Sequence, residues 1–342
     1  MILFVERRKG QRHKGTRAQR GWRISLCLWP SVPLCLCLLL LCSYVCTASV
    51  VINEIHYDPD VKTEAVEFVE LYNTAATGID LSGWYFSNGI SYEFPVGSTL
   101  PAGGYIIVAY SPLHIDSKWG DNRSGIPPHW VFGPFQGKLA NEGETIELRN
   151  PDGDLIDRVD YQLGFPWPTV GDPVPAQQPG AGNSIQLINP FLDNDLAGSW
   201  RSAEPTPAAH NERVYVDNPP PHVRQVEHSP KQPRSGETAI ITAKVTDSDG
   251  VARVTLGYQI VEPGSYISIT DSQYHLNWTN IAMGDDGLDG DAIAGDDVYS
   301  VQLPGSMQVH RRLIRYRITA EDRSGRGLLV PYVDDPQPNF AY

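Results

Sequence analysis

Val66-Glu67-Phe68-Val69-Glu70-Leu71-Tyr72-Asn73 is eight residues without glycine or proline, rich in β-branched and aromatic side chains, and it ends just before a Thr77-Gly78 turn. It reads as a strand. The sequence around it has the same grain. Val50-Val51-Ile52-Asn53-Glu54-Ile55 precedes it, and Ile79-Asp80-Leu81-Ser82-Gly83-Trp84-Tyr85-Phe86 follows. Tyr92-Glu93-Phe94 is short and stops at Pro95, whereas Tyr105-Ile106-Ile107-Val108-Ala109-Tyr110 is apolar throughout and is predicted to lie inside a sheet. Thr145 to Arg149, the loop Asn150-Pro151-Asp152-Gly153, and Leu155 to Val159 form a hairpin pattern. No stretch from Val50 to Asn211 repeats apolar residues at i, i+3, i+4 and i+7 over three turns, so no long helix is predicted. Short strands separated by turn clusters predict an antiparallel β-sandwich.

A second strand pattern begins after Asp217-Asn218-Pro219-Pro220-Pro221. Ala239, Ile241, Ala243 and Val245 share one face of a strand, while Ile240, Thr242, Lys244 and Thr246 share the other. Asp247-Ser248-Asp249-Gly250 turns into Val251 through Ile260, and Leu313 through Ala320 alternates with its arginines outward. The fold class is therefore all-β, with two consecutive immunoglobulin-like antiparallel sandwiches. The expected divisions are a leader at 1–48, a first sandwich at 49–211, a proline-rich linker at 212–221, a second sandwich at 222–334 and a tail at 335–342.

The chain has 342 residues and five cysteines, none of them after Cys46. The folded part can hold no disulfide framework, thiol nucleophile or thiolate zinc site. Eight of the 27 basic residues and one of the 40 acidic residues precede residue 49, which leaves 19 basic against 39 acidic and a net charge of −20. Such a surface repels phosphate backbones, so nucleic acid is not an expected partner. Arg7 to Arg23 is basic, and Ile24 to Cys46 carries no charge and is most apolar from Leu34 to Cys42. With small residues at Thr47-Ala48-Ser49, this reads as a secretory signal cleaved after Ala48. The alternative is an uncleaved signal anchor, which would be the only membrane contact; Pro30 and Pro33 interrupt that span. Either way the folded part is expected outside the cytoplasm, secreted, periplasmic or on the cell surface.

Several blocks together carry a resemblance. Ile52-Asn53-Glu54-Ile55, Glu67 through Asn73, Asp80-Leu81-Ser82-Gly83-Trp84 and Leu100-Pro101-Ala102-Gly103-Gly104-Tyr105 are similar to the secreted bacterial branch of the lamin tail domain family. Asn194-Asp195, Trp200-Arg201 and Pro205-Thr206-Pro207 resemble the way that family closes. The resemblance implies an immunoglobulin-like sandwich that tethers or recognises without catalysis, and it makes Ser111 to Gly137 an inserted loop. In the second half, Lys244-Val245-Thr246-Asp247, Asp285-Asp286-Gly287, Gly290-Asp291, Gly295-Asp296 and Tyr332 through Phe340 resemble the region that precedes the kinase-like domain in secreted CotH-like proteins. No segment after Val330 is long enough for that kinase-like domain, as in a shortened version of a larger surface protein.

The candidate site is Gly284 through Asp297, where Asp285, Asp286, Asp289, Asp291, Asp296 and Asp297 place six carboxylates in thirteen residues. Like charges so close repel by about 1 kcal/mol per pair in water. Calcium would relieve them, since it takes six to eight oxygens in flexible loops. The other reading is a solvated acidic turn held by side-chain-to-backbone bonds. Asp247 and Asp249 form a weaker second candidate. Trp130 and Trp167, set among prolines and glycines, either stack a sugar or peptide or simply cover the end of the sandwich. Trp84 is expected to fill the sandwich centre behind Gly83. Glu67 and Glu70, three apart, point to opposite sides and are expected to be solvated or bonded to backbone rather than to form an acid/base pair. Glu54 and His56 share strand parity and could ligate a metal, though a turn role for His56 is the plainer reading.

No serine-hydrolase elbow, zinc-protease helix or phosphate loop is present. The expected function is non-catalytic binding or tethering, to a surface protein or a glycan. The alternatives are an accessory front part of a larger CotH-kinase-like surface protein and a calcium-dependent carbohydrate-binding module built on Trp167 and Trp130.

Overall fold

The computed structural model describes residues 49–120, 130–170 and 182–342, all within one compact unit. The leader assigned to 1–48 lies outside the described residues. Regular structure begins with β1 (Val50–His56), β2 (Phe68–Asn73), β3 (Ile79–Asp80), β4 (Tyr85–Asn88), β5 (Ile90–Glu93), β6 (Thr99–Leu100) and β7 (Tyr105–Ala109). Helix α1 (Pro112–Trp119) follows, then β8 (Val131–Phe132), β9 (Gln136–Gly137), β10 (Gly143–Arg149), β11 (Leu155–Gln162), β12 (Ser184–Leu187) and β13 (Trp200–Ala203).

One sheet runs β13-β12-β1-β2-β7-β8 and the other β11-β10-β4-β5-β9. Every pair is antiparallel except β7 with β8. Ile52, Leu71, Ile106 and Val108 from the first sheet meet Phe86, Ile146, Leu148 and Val159 from the second in one core. The all-apolar Tyr105–Ala109 strand is flanked on both sides, as its composition predicts. β10 and β11 form the expected hairpin, with Arg149 paired to Leu155 across a five-residue loop.

The largest side chain fully buried in this core is Trp200, which donates its indole N–H to the Asn194 carbonyl at 2.7 Å. Trp84, expected to fill the centre, is only half-buried against the core. Gly83, at φ +73°, turns the chain before β4 and leaves that indole near the sandwich margin. A bulge at Asn53 puts two β1 steps, Ile52 and Glu54, opposite the adjacent pair Leu71 and Glu70. From the other sheet, buried Asp157 accepts Ile52 N–H at 2.6 Å and Asn194 Nδ2 at 2.7 Å. Burial raises this carboxyl to about 6 even against those donors.

The outer face of the six-stranded sheet is covered too. Helix α1, inside the predicted insertion, lays Ile115 and Trp119 over Val66, Phe68, Ile107 and Ala109. It is only eight residues long, starts with Pro112 at N1, and buries Ile115 alone. A helix with one apolar anchor leaves no periodic signal, so the sequence reading missed it.

The second sandwich contains β14 (His222–Ser229), β15 (Ala239–Thr246), β16 (Val251–Val261), β17 (Thr279–Met283), β18 (Val298–Leu303), β19 (Leu313–Asp322), β20 (Gly327–Val330) and β21 (Phe340–Ala341). Its sheets are β14-β15-β18 and β17-β16-β19-β20, with β21 also on β19. Ala239, Ile241, Ala243 and Val245 are fully buried, the face that the alternation marked. The arginines of β19 depart from expectation. Arg315 is 3% exposed and lies over the rings of Tyr266 and Tyr274, and Arg317 stacks 3.6 Å above Trp278. They point away from the inter-sheet core, as predicted, but residues of the long β16–β17 connection cover them.

The predicted linker is clamped rather than extended free. Val216 N–H donates to the Ile188 carbonyl, Asn189 Nδ2 to the Val216 carbonyl, and Asn218 Nδ2 to Asp322 Oδ2. The two sandwiches also share aromatic packing. Phe165 lies 5.2 Å from Phe340 and packs on the second core, while Trp167, two residues later, belongs to the first. The Tyr332 hydroxyl donates to the Pro166 carbonyl at 3.1 Å, and the Arg201 guanidinium sits 4.7 Å above the Tyr332 ring.

Candidate functional site

The acidic loop is closed at its base by two backbone bonds between Gly284 and Ser300, 2.9 and 2.8 Å. Asp285 organises the rest. Its Oδ1 accepts Gly295 N–H at 2.8 Å and Asp296 N–H at 3.2 Å, and its Oδ2 accepts Asp297 N–H at 3.0 Å. Asp291 accepts Gly287 N–H at 2.6 Å, and Asp286 and Asp296 accept the N–H groups two residues ahead. Asp289 and Asp297 have positive φ, +48° and +65°, which aspartate tolerates better than most residues.

Of the six candidate ligands, Asp285, Asp291 and Asp296 converge, each offering an oxygen within 4.8 Å of the others, and all three are half-buried. Asp286, Asp289 and Asp297 are exposed and stand outside that trio. Every carboxylate of the trio also accepts a backbone N–H, so the loop holds its shape through the same oxygens a cation would use.

The turn at Asp247 and Asp249 gains a partner that spacing did not reveal. Asp322 joins them within 4.8 Å because β16 and β19 pair antiparallel with Val251 opposite Asp322. Asp322 serves mainly its own turn, accepting from Ser324 N–H and Oγ, Arg326 N–H and Asn218 Nδ2.

The most perturbed carboxyl groups are elsewhere, in the first sandwich. Glu54 and Glu70 are directly opposite across β1 and β2, both with zero exposure. Residues 204–211 lie over them. Glu54 accepts from Ser184 Oγ at 2.5 Å, from Thr206 N–H at 3.0 Å and from Thr206 Oγ1 at 2.9 Å. Glu70 accepts Asn53 Nδ2 at 2.7 Å and Ala208 N–H at 2.6 Å. Burial lifts Glu54 to about 7, and burial together with the Glu54 charge lifts Glu70 well above the carboxylate range. The pair pins the closing segment to the sheet. Glu67, half-buried, accepts Leu139 N–H at 3.1 Å. The backbone role expected for Glu67 and Glu70 is therefore the one observed, and Glu70 is not solvated.

Glu54 and His56 do not come together on a common point. His56 is 1% exposed, with Nδ1 3.0 Å from the Val66 carbonyl and Nε2 3.1 Å from the Gly182 carbonyl. Its burial lowers its pKa. Trp167 is 5% exposed, 6.1 Å from the Trp200 ring, and offers no face to a ligand; Trp130 is half-buried against the same core. Of the two readings of these tryptophans, the packing is that of a cover: the aromatic loop packs the sandwich interior and the joint to the second sandwich, and prolines beside an aromatic mark either use equally well.

The first sandwich is thus an immunoglobulin-like fold whose buried carboxylates fasten its own closing segment. No curated protein matches the chain. Residues 46–162 match the family model described as Lamin Tail Domain, and β12 and β13, beyond that stretch, complete its six-stranded sheet.

Proposed function

We propose that the protein is a non-catalytic binding and tethering module that works outside the cytoplasm, a lamin tail domain followed by an immunoglobulin-like domain. One observation carries this reading. The carboxyl groups whose proton affinities burial raises most, Glu54, Glu70 and Asp157, face backbone N–H groups and amides of the same fold rather than a cleft. A lamin tail domain over residues 46–162 is consistent with that role. The basic, then apolar, then small-residue order of residues 1–48 supports export. Fusing residues 1–48 to alkaline phosphatase, which matures only outside the cytoplasm, should give active enzyme. Loss of that activity, or turnover of ester, phosphodiester or glycosidic substrates by the purified protein, overturns the reading.

The convergence of Asp285, Asp291 and Asp296 favours one addition, a structural calcium ion in the acidic loop. Calcium at about 100 times its dissociation constant would stabilise by about 2.7 kcal/mol. Adding chelator should then lower the melting temperature by about 5 °C or more. Asp291→Asn should abolish that difference, and equal midpoints with and without chelator rule the ion out. The Asp285-Asp286-Gly287 and Gly295-Asp296 blocks also support reading the second sandwich as the CotH-like accessory region of a larger surface protein.

A further inference from the structure

The second sandwich is electrically polarised. β18 carries the acidic loop at its start, and the β18–β19 connection at its other end brings His310, Arg311 and Arg312 beside the β14–β15 connection. Six strand residues at about 3.4 Å each put roughly 20 Å between the two ends. The two connections are joined by a bond from Gly236 N–H to the Gln308 carbonyl at 3.0 Å. Between them lies an open groove of about 560 Å³, walled by Lys231, Arg234, His310, Arg311 and Arg312, with His228 and Tyr342 at one side.

Among the described residues no acidic side chain lines this groove. That is unexpected on a chain whose residues after 48 carry 39 acidic against 19 basic groups. The cations are also under-used. Among the described residues, the side chains of Arg234, His310 and Arg311 have no ion pair or hydrogen bond. Arg312 meets Glu262 at 2.7 Å and the Met307 carbonyl at 3.0 Å, but its Nε is buried without an acceptor. Lys231 has only a solvent-exposed contact with Glu227 at 3.4 Å, a pair worth little. Arg311 is held at φ +66°, so its backbone sits in a conformation that side chains rarely adopt.

We propose that this groove binds an anionic saccharide, a sugar bearing carboxylate, sulfate or phosphate groups. Guanidinium groups supply forked donors for such oxyanions. Gln232 and Ser235 supply partners for hydroxyls, and the Tyr342 and His228 rings, 4.8 Å apart, supply an aromatic wall that Gln308 Nε2 braces by donating to the Tyr342 hydroxyl at 3.1 Å. The volume lies in the range of sites for small ligands. A long polyanion would meet the repulsion of the surrounding acidic surface, which favours a compact ligand over nucleic acid. This site stands apart from the calcium loop and from the export reading.

The test is calorimetry on the purified full chain with a sulfated disaccharide, digalacturonate and glucose 6-phosphate, and with cellobiose as the neutral control. At least one anionic probe should bind and cellobiose should not. Affinity should fall steeply as salt rises toward about 1 M, where screening acts within about 3 Å. Arg234→Gln with Arg311→Asn, the latter chosen because asparagine accepts positive φ, should weaken binding by about tenfold or more. Asp291→Asn should leave it unchanged. Absence of binding by all three anionic probes, undiminished binding by the double variant, or binding of an acidic peptide or oligonucleotide in their place overturns the proposal.

Discussion

Replacing Trp200 with alanine should lower the free energy of unfolding by about 4 kcal/mol, with Trp84→Ala costing about 1–2 kcal/mol. Trp200 has no exposed surface, and its indole N–H is the donor to the Asn194 carbonyl. Removing it opens a cavity beside Trp167 and strands a buried acceptor, and the two losses add. Asn194 also reaches Asp157, so the damage extends to the buried contact that joins the two sheets at the Asn53 bulge. Trp84 keeps part of its ring in solvent and makes no comparable bond among the described residues. Urea unfolding of both variants measures the difference. Equal losses would mean that Trp200 is not the larger contributor to the core.

The protein should lose stability as pH rises through about 7, and Glu70→Gln should flatten that loss. Glu54 binds its proton more tightly folded, at about 7, than the ordinary glutamate value of 4.5 allows an unfolded chain. A raised carboxyl stabilises the fold fully below its unfolded pKa, and that contribution disappears as pH climbs through the folded value. For Glu54 the window is about 4.5 to 7, a difference worth about 3 kcal/mol. Glu70 is raised in the same sense, by burial and by the Glu54 charge, so its contribution is likewise lost as pH climbs. Histidines act in the opposite sense. His222, lowered to about 4 by burial and by Arg201, and buried His56 contribute stability above their unfolded pKa and lose it as pH falls. Below pH 6.5 the two effects oppose each other. Above pH 7 the histidines are neutral in both states, which leaves the carboxylates alone. Denaturation midpoints at pH 6.5, 7 and 8 should converge for Glu70→Gln and diverge for the native chain. Parallel profiles would mean that the pair does not govern the alkaline limb.

What the sequence made legible was the period of two. Ala239 through Val245 alternate so cleanly that the inward face of β15 could be named, and the hairpin at Asn150 needed only its turn residues. What stayed hidden was coverage. Glu70 at an outward strand position reads as solvated or bonded to backbone, and nothing local says which, or that the backbone would be that of Ala208, 138 residues later. The same holds for Arg315 beneath Tyr266 and Tyr274, and for Phe68 beneath α1. Outer faces are set by which distant segment folds back, and that information is not periodic. Trp200 outranked Trp84 for the same reason: its strand enters the sheet beside β12, far along the chain from the hydrophobic run that announced the fold. In the acidic loop, composition marked the region, but which three of six carboxylates converge depends on the backbone bonds around Asp285.

Phe165 and Trp167 lie two positions apart and are anchored in different cores, with Pro166 bonded to Tyr332 between them. A pull on one sandwich is therefore transmitted to the other through packed rings as well as through residues 212–221. The pair behaves as a single stiff strut rather than two beads on a string. Anything grasped by the basic groove would sit at a fixed offset from the lamin tail sandwich, so reach and orientation are built into the spacer before any partner arrives.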